Sequence, residues 1–218
     1  MTLDLRCYLV TSGTSRRTVE TAAAAAAGGA GMIQVRDKQA STAELLELTC
    51  AVAAAVHRAR PSARVVVDDR ADVAFAARRL GAEVHGVHLG QDDLPVASAR
   101  AMLGPEAIIG LTTGTLETVR RAEELRGLLD YVGAGPFRPT PTKDSGRTPL
   151  GVDGYRSLVA ETGLPVVAIG GITAQDVPSL ARTGIAGVAL VRELMDADDP
   201  ERAAREIVSA LESGRASR

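Results

Sequence analysis

The chain is predicted to fold as a single (β/α)8 barrel, the TIM-barrel architecture. Three observations predict it. Short β-branched runs alternate with longer amphipathic segments from end to end, the runs number eight, and the first run is followed by Thr11-Ser12-Gly13-Thr14 rather than Gly-x-Gly-x-x-Gly. A strand followed by a helix implies a parallel neighbour reached by a right-handed crossover, because a tight turn cannot close a parallel pair. Eight such units close on themselves, whereas the competing open doubly wound sheet would normally carry the glycine fingerprint. A length of 218 residues suits one domain of compact units, and no linker rich in Pro, Gly or Ser divides residues 1–218.

By length and β-branched content, strands are expected at 5–10, 32–35, 64–67, 84–89, 107–109, 131–134, 165–169 and 187–191. Helices are expected between and after them at 17–27, 42–59, 71–80, 96–103, 116–129, 152–161, 174–182 and 200–211, with a short polar tail after about 212. Ser41-Thr42-Ala43-Glu44 has the capping-box spacing, and Thr173 stands three residues before Asp176. Gly28, Gly81, Gly104 and Gly163 fall where helices should stop. The stretch 135–151 lies inside one βα unit, and a loop of that length in a compact domain is more often a working loop than a linker.

Composition narrows the function classes. Aromatic residues make up 2% of the chain, with no Trp, three Tyr and two Phe, so an aliphatic barrel interior is expected and single-stranded nucleic-acid platforms are disfavoured. A net charge of −2 gives no electrostatic reason for a nucleic-acid or membrane partner. Cys7 and Cys50 form no Cys-x-x-Cys pair and are read as reduced core thiols. The N-terminal sequence shows no secretory signal pattern, so a cytoplasmic location is expected. Of 25 Lys plus Arg, only Lys38 and Lys143 are lysines. A lysine kept in an arginine-rich chain suggests a need for a compact ammonium.

In a barrel of this kind, chemistry belongs to strand C-terminal ends and the loops after them. Gln34, Arg36 and Lys38 follow the second strand, and strand parity points them together into the mouth, where two cations suit a polyanion; the alternative is a solvated loop tip. Asp68 and Asp69 follow the third strand and Asp93 the fourth, so Asp69 and Asp93 could share a divalent cation; the alternative is that one of the first two caps the next helix. His85 and His88 face opposite sides of a strand and are read as structural. Thr112 offers a hydroxyl after the fifth strand, and Thr140, Thr142 and Lys143 could form an anion site after the sixth. Gly171 and the Val191-Arg192 pair stand after strands seven and eight, where such barrels commonly bind phosphate.

Taken in order, Gln34-Val35-Arg36-Asp37-Lys38, the run Gly86 to Asp93, Asp130-Tyr131-Val132-Gly133 with Gly135-Pro136, Thr140-Pro141-Thr142-Lys143 and Ala168-Ile169-Gly170-Gly171-Ile172 resemble the thiamine-phosphate synthase family along nearly the whole chain. That resemblance implies a transferase joining 4-amino-2-methyl-5-hydroxymethylpyrimidine diphosphate to 4-methyl-5-(2-phosphoethyl)thiazole, or its carboxylate, to give thiamine phosphate and diphosphate. It implies Mg2+ on Asp69 and Asp93, with Arg36, Lys38, Asp68, Thr112 and Lys143 about the diphosphate and Gln34 at the pyrimidine. Thr140 and Thr142, with backbone of Gly171, Val191 and Arg192, would hold the thiazole phosphate. Arg36, Lys38 and Lys143 are the expected catalytic cations. The partners implied are these small molecules, and a homo-oligomer is left open.

Three positions depart from the family pattern: Asp68 stands where Asn is usual, His85 where Asp is common, and Arg192 where Ser is frequent. Two other readings are weighed. A thiazole tautomerase of the same fold would need no diphosphate cradle, and a non-catalytic sensor of a phosphorylated ligand would need no leaving-group site. The retained cations and Asp93 argue against both.

Overall fold

The computed structural model describes residues 3–139 and 148–217. Strands β1 (Cys7–Val10), β2 (Met32–Val35), β3 (Arg64–Asp68), β4 (Gly86–Leu89), β5 (Ile108–Thr113), β6 (Tyr131–Ala134), β7 (Val166–Ile169) and β8 (Gly187–Leu190) pair in chain order, all parallel, and β8 returns to β1 to close the barrel. The helices are α1 (Arg16–Ala27), α2 (Thr42–Ala59), α3 (Ala71–Arg79), α4 (Val96–Leu103), α5 (Leu116–Glu124), α6 (Gly151–Ala160), α7 (Val177–Ala181), α8 (Arg192–Met195) and α9 (Pro200–Ala216). A 3-10 turn over Ala174–Asp176 precedes α7. Among the described residues, no helix is long and apolar enough to cross a membrane.

Alternation along each strand builds two cores. Residues such as Cys7, Leu9, Ile33, Val35, Val65 and Val67 face the helices and join Ala22, Ala25, Leu48, Val52 and Val56 in an aliphatic layer. Tyr8, Val10, Met32, Val66, Tyr131, Val167 and Ala189 face the barrel axis. The interior is therefore not simply aliphatic: its centre holds two of the three tyrosines. The third, Tyr155 on α6, is also buried and donates its hydroxyl to the Ala134 carbonyl at 2.7 Å. Buried phenols need such partners, so the few aromatics occupy positions where both ring and hydroxyl are used.

The local signals act as expected where they are self-contained. Ser41 and Glu44 form a reciprocal capping box at the start of α2, and Leu45, Leu48, Val52 and Val56 recur at helical spacing on its buried face. Thr173 and Asp176 cap each other's turn, and Gly28 and Gly104 end α1 and α4. Cys7 is buried and its thiol is pushed up to about 12 by burial, while Cys50 is half-buried; both are free.

Among the boundaries that differ from expectation, three have a clear physical cause. Strand β5 continues through Gly110 to Thr113, because the missing side chain there is needed by its neighbours and does not mark a turn. Helix α5 ends at Glu124, after which Leu125, Arg126 and Leu128 make bonds to carbonyls three residues back. No polar tail begins at 212: α9 runs to Ala216, and Gly214 lies so close to α7 that a Cβ would come 2.7 Å from the Pro178 carbonyl oxygen. That glycine serves helix packing and does not terminate the helix.

His85, just ahead of β4, extends the β3–β4 pairing: its Nδ1 accepts the Val65 N–H at 3.0 Å, and the Arg64 guanidinium lies 2.9 Å from Nε2. Burial, and then the positive charge of Arg64, lower its pKa from 6.5 to about 4. Between those values the unfolded chain binds more protons than the fold, so stability rises with pH across this window and is lost as pH falls through it. Urea unfolding at pH 7.5 and pH 4.5 should show an acid loss larger by about 2 kcal/mol in the parent than in His85→Gln.

Candidate active site

The C-terminal ends of the strands surround a cavity of about 420 Å3, lined in part by Gln34, Arg36, Asp68, Thr112, Gly171, Val191 and Arg192. Seven of the residues expected from the sequence therefore share one wall-to-wall space. Thr140, Thr142 and Lys143 lie outside the described residues.

Strand β2 ends at Val35, so the parity that places Gln34 in the interior does not extend to Lys38. Arg36 still reaches the cavity, held by Thr11: the Arg36 N–H donates to Thr11 Oγ1 at 2.9 Å. Its Nε lies 3.0 Å from Asp68 Oδ2. Lys38 does not point inward beside it. Half exposed, it lies 3.6 Å from Asp68 Oδ2 and forms a close ion pair with Asp69. The solvated-tip alternative fails as well, because both cations are tied to aspartates at the end of β3.

Neither aspartate caps α3, whose N-cap Arg70 lacks a side-chain cap bond. Asp69 instead adopts a left-handed backbone, with φ of 59°, and its N–H donates to the His88 carbonyl at 2.7 Å. Such a conformation is uncommon for a residue with a Cβ and is held by its surroundings. Its effect is to turn the carboxylate toward the next loop. Asp93 accepts the Gly90 N–H at 2.7 Å, and a Cβ on Gly90 would lie 2.7 Å from Asp93 Oδ2 and 4.0 Å from Asp69 Oδ1. The two carboxylates thus converge over a glycine that leaves them room. Oxygen donors from two carboxylates suit Mg2+, which typically takes one or two and fills its remaining positions with water and substrate phosphates.

A second group of residues stands across the cavity. Gly170 and Gly171 both have positive φ, at 103° and 70°. A Cβ on Gly170 would meet Pro136 Cα at 2.7 Å, so the loop after β7 packs directly on the chain after β6. Phe137 and Arg138 donate backbone N–H groups to Ile169 and Gly170 carbonyls at 2.9 and 3.1 Å, and Arg138 pairs with Asp176. Burial opposes ionisation of Asp176, but hydrogen bonds from Thr173 and Arg138 outweigh it and hold its pKa below the ordinary value. This framework presents Gly171 to the cavity beside Val191 and Arg192, at the start of α8.

Tyr8, His88 and Tyr131 also line the cavity, and none of them is assigned to the site by the sequence. His88 is structural only in the sense that it is bonded; its ring stacks on Tyr131 with centroids 5.5 Å apart and lines the cavity. The ring pair occupies space vacated by glycines, since a Cβ on Gly110 would come 2.2 Å from Tyr131 Cζ and one on Gly133 would come 3.0 Å from His88 Cε1. The signal that could have found them is a large polar residue two positions from a strand glycine, as in Gly86-x-His88 and Tyr131-x-Gly133.

Comparison with known proteins places these observations in a lineage. A family model described as thiamine monophosphate synthase matches residues 7–194. The chain is 58% identical over 215 residues to the thiamine-phosphate synthase of Corynebacterium efficiens, covering 98% of each chain. It is similar to the solved thiamine phosphate pyrophosphorylase of Pyrococcus furiosus, with a TM-score of 0.83, 33% identity and coverage of 97% of this chain and 98% of the other. The orotidine 5'-phosphate decarboxylase of Pyrococcus horikoshii, at 12% identity and a TM-score of 0.65, shares the fold alone.

The glycine that admits the ring pair provides a direct test. Gly110→Ala forces a methyl group into a ring held in the barrel centre, and overpacking of this kind should destabilise the protein by about 1–3 kcal/mol. Denaturant unfolding of the variant against the parent measures it.

Proposed function

The chain belongs to the thiamine monophosphate synthase family, and we propose how its barrel mouth carries out that family's synthesis. As a thiamine-phosphate synthase it is a transferase acting on small molecules. In the proposed reaction, 4-amino-2-methyl-5-hydroxymethylpyrimidine diphosphate loses diphosphate and 4-methyl-5-(2-phosphoethyl)thiazole, or its carboxylate, captures the remaining pyrimidine methylene. The observation that carries the site assignment is the convergence of Asp69 and Asp93 over Gly90, with Arg36 and Lys38 paired alongside at Asp68 and Asp69.

The step is a dissociative substitution. The bond between the pyrimidine methylene and the diphosphate oxygen breaks, its electron pair leaving with diphosphate, and the thiazole nitrogen lone pair forms the new C–N bond. A protein nucleophile is not required, so stabilising the leaving group is the main catalytic task. Mg2+ bound by Asp69 and Asp93 would supply neutralisation of diphosphate charge. Arg36 and Lys38 would exchange their aspartate partners for phosphate oxygens, and Lys143 would add a third cation. Asp68 holds the Arg36 guanidinium at the cavity wall, which gives the departure from Asn a positioning use. Gln34 would meet the pyrimidine and Thr112 the diphosphate.

The spectator phosphate of the thiazole needs its own site, away from the leaving group. Gly171, Val191 and Arg192 line the far side of the cavity and support that role, with Thr140 and Thr142 assigned to it by family resemblance. The tautomerase reading uses only this half of the mouth. It leaves Arg36, Lys38 and the aspartate pair without a task, as does the sensor reading.

Incubating the purified protein with both substrates and Mg2+ tests the function: thiamine phosphate and diphosphate should appear together, whereas isomerised thiazole phosphate alone would establish the tautomerase. Lys143→Ala should lower kcat by about 100-fold or more, as expected for a cation acting on the leaving group, and Arg192→Ala far less. Equal losses would move the leaving-group role away from Lys143. Asp93→Asn should raise the Mg2+ concentration for half-maximal activity by about tenfold or more, and an unchanged Mg2+ titration would remove Asp93 from the metal site.

A further inference from the structure

The turn after β7 is braced by a side chain that stands outside the cavity. Gly171, Ile172 and Thr173 line the cavity, whereas Arg138 touches the same turn without lining it. The Arg138 N–H donates to the Gly170 carbonyl at 3.1 Å. Its aliphatic stem lies so close to Gly171 that a Cβ there would come 2.5 Å from Arg138 Cγ and 3.3 Å from Cδ. The guanidinium carbon stands 4.8 Å from the Phe137 ring centre, and Nη2 pairs with Asp176 Oδ1. The other oxygen, Asp176 Oδ2, accepts the Thr173 N–H and the Thr173 hydroxyl, each at 2.8 Å.

Backbone N–H groups along this turn divide into two sets. Thr173 gives its N–H to Asp176, and Ala174 gives its own to Glu193 Oε1 at 3.0 Å. The Gly171 and Ile172 N–H groups have no acceptor among the described residues. Successive unpaired N–H groups in such a turn form a concavity suited to an anion. Their aim depends on the turn keeping its shape. Gly170 and Gly171 adopt φ of 103° and 70°, and glycine has little steric preference of its own to hold these values. The missing constraint comes from Arg138, whose stem closes one side of Gly171 and whose charge is tied to Asp176. A partly exposed ion pair contributes little by itself. Joined to the packed stem and the Phe137 ring, it fixes one position of the side chain against the turn.

We propose that Arg138 is a positioning residue for the thiazole phosphate: it clamps the Gly170-Gly171 turn through its stem and through Asp176, and so aims the Gly171 and Ile172 N–H groups at the anion. This rests on the reaction proposed above, in which that turn holds the spectator phosphate. Arg138 is not itself the ligand, because Asp176 already matches its charge. A ligand and a brace respond oppositely to loss of that carboxylate. Asp176→Asn keeps an amide oxygen for Thr173 but removes the charge that holds the guanidinium. A ligand freed in this way would bind phosphate more tightly, whereas a released brace weakens binding.

Isothermal titration with 4-methyl-5-(2-phosphoethyl)thiazole, in the presence of Mg2+ and diphosphate, tests this in the parent, Arg138→Ala, Asp176→Asn and the double variant. Arg138→Ala should weaken binding by about tenfold and Asp176→Asn by about threefold, with the double variant no worse than Arg138→Ala alone. In steady-state kinetics the KM for this thiazole should rise in the same proportions, while the KM for the pyrimidine diphosphate stays within about twofold of the parent. Unchanged or tighter thiazole binding in Asp176→Asn, effects that multiply in the double variant, or an equal rise in both KM values overturns the proposal. A parent protein that makes no thiamine phosphate would overturn the function instead, and the titration would still decide the role of Arg138.

Discussion

The buried contact between the Tyr8 and Tyr131 hydroxyls is the constraint on which the rest of the barrel mouth depends. Two phenols meeting at the centre of a barrel must have partners for their polar ends, because an unsatisfied buried hydroxyl costs about 1–3 kcal/mol. Gln34 supplies one partner to Tyr8 from the neighbouring β2, and His88 supplies the other to Tyr131 from β4, two strands away from β6. Their size then dictates composition elsewhere: Gly110 and Gly133 are glycine because ring atoms of Tyr131 and His88 stand where a Cβ would be. One pair of hydroxyls thus accounts for a cluster of polar residues and for the glycines embedded in adjacent strands.

Above this floor, the mouth is organised by charge. Asp68 and Asp69 hold Arg36 and Lys38 in paired positions, so the cations are pre-placed without being left unpaired among themselves. In the proposed reaction an incoming polyanion and its Mg2+ would exchange partners with these groups. Preorganised charge of this type acts where negative charge develops on a leaving group, and it needs no further reorganisation at the moment of reaction. The left-handed backbone of Asp69 belongs to the same arrangement, since it aims one carboxylate across the strand end toward Asp93.

Much of this was legible before any coordinates. The βα alternation, the capping box at Ser41 and Glu44, and the strand-end clusters at 34–38, 68–69 and 93 are local patterns whose physical meaning does not depend on distant residues. Local rules fail where the chain meets a distant neighbour. Strand parity was carried past Val35 to Lys38, but the chain leaves the strand there. Gly110 lies just past the expected end of the fifth strand and Gly214 inside the expected polar tail, yet the first makes room for Tyr131 and the second for the Pro178 carbonyl. His88, read from strand parity as structural, has its partners Tyr131 and Thr112 43 and 24 residues away, out of reach of any local pattern.

By itself, then, the sequence determined the architecture and the chemical inventory of the mouth. Hydrophobic periodicity obliges each segment to bury one face, and eight alternating segments have few ways to do so. Only the tertiary structure decided which members of that inventory meet. Barrel closure sets Tyr8 of β1 against Tyr131 of β6 and Asp69 beside Asp93, because side chains separated by scores of residues become neighbours only when the eight strands share one axis. The direction of a hydrogen bond, the sign of a cavity wall and the use of a strand glycine are properties of those meetings.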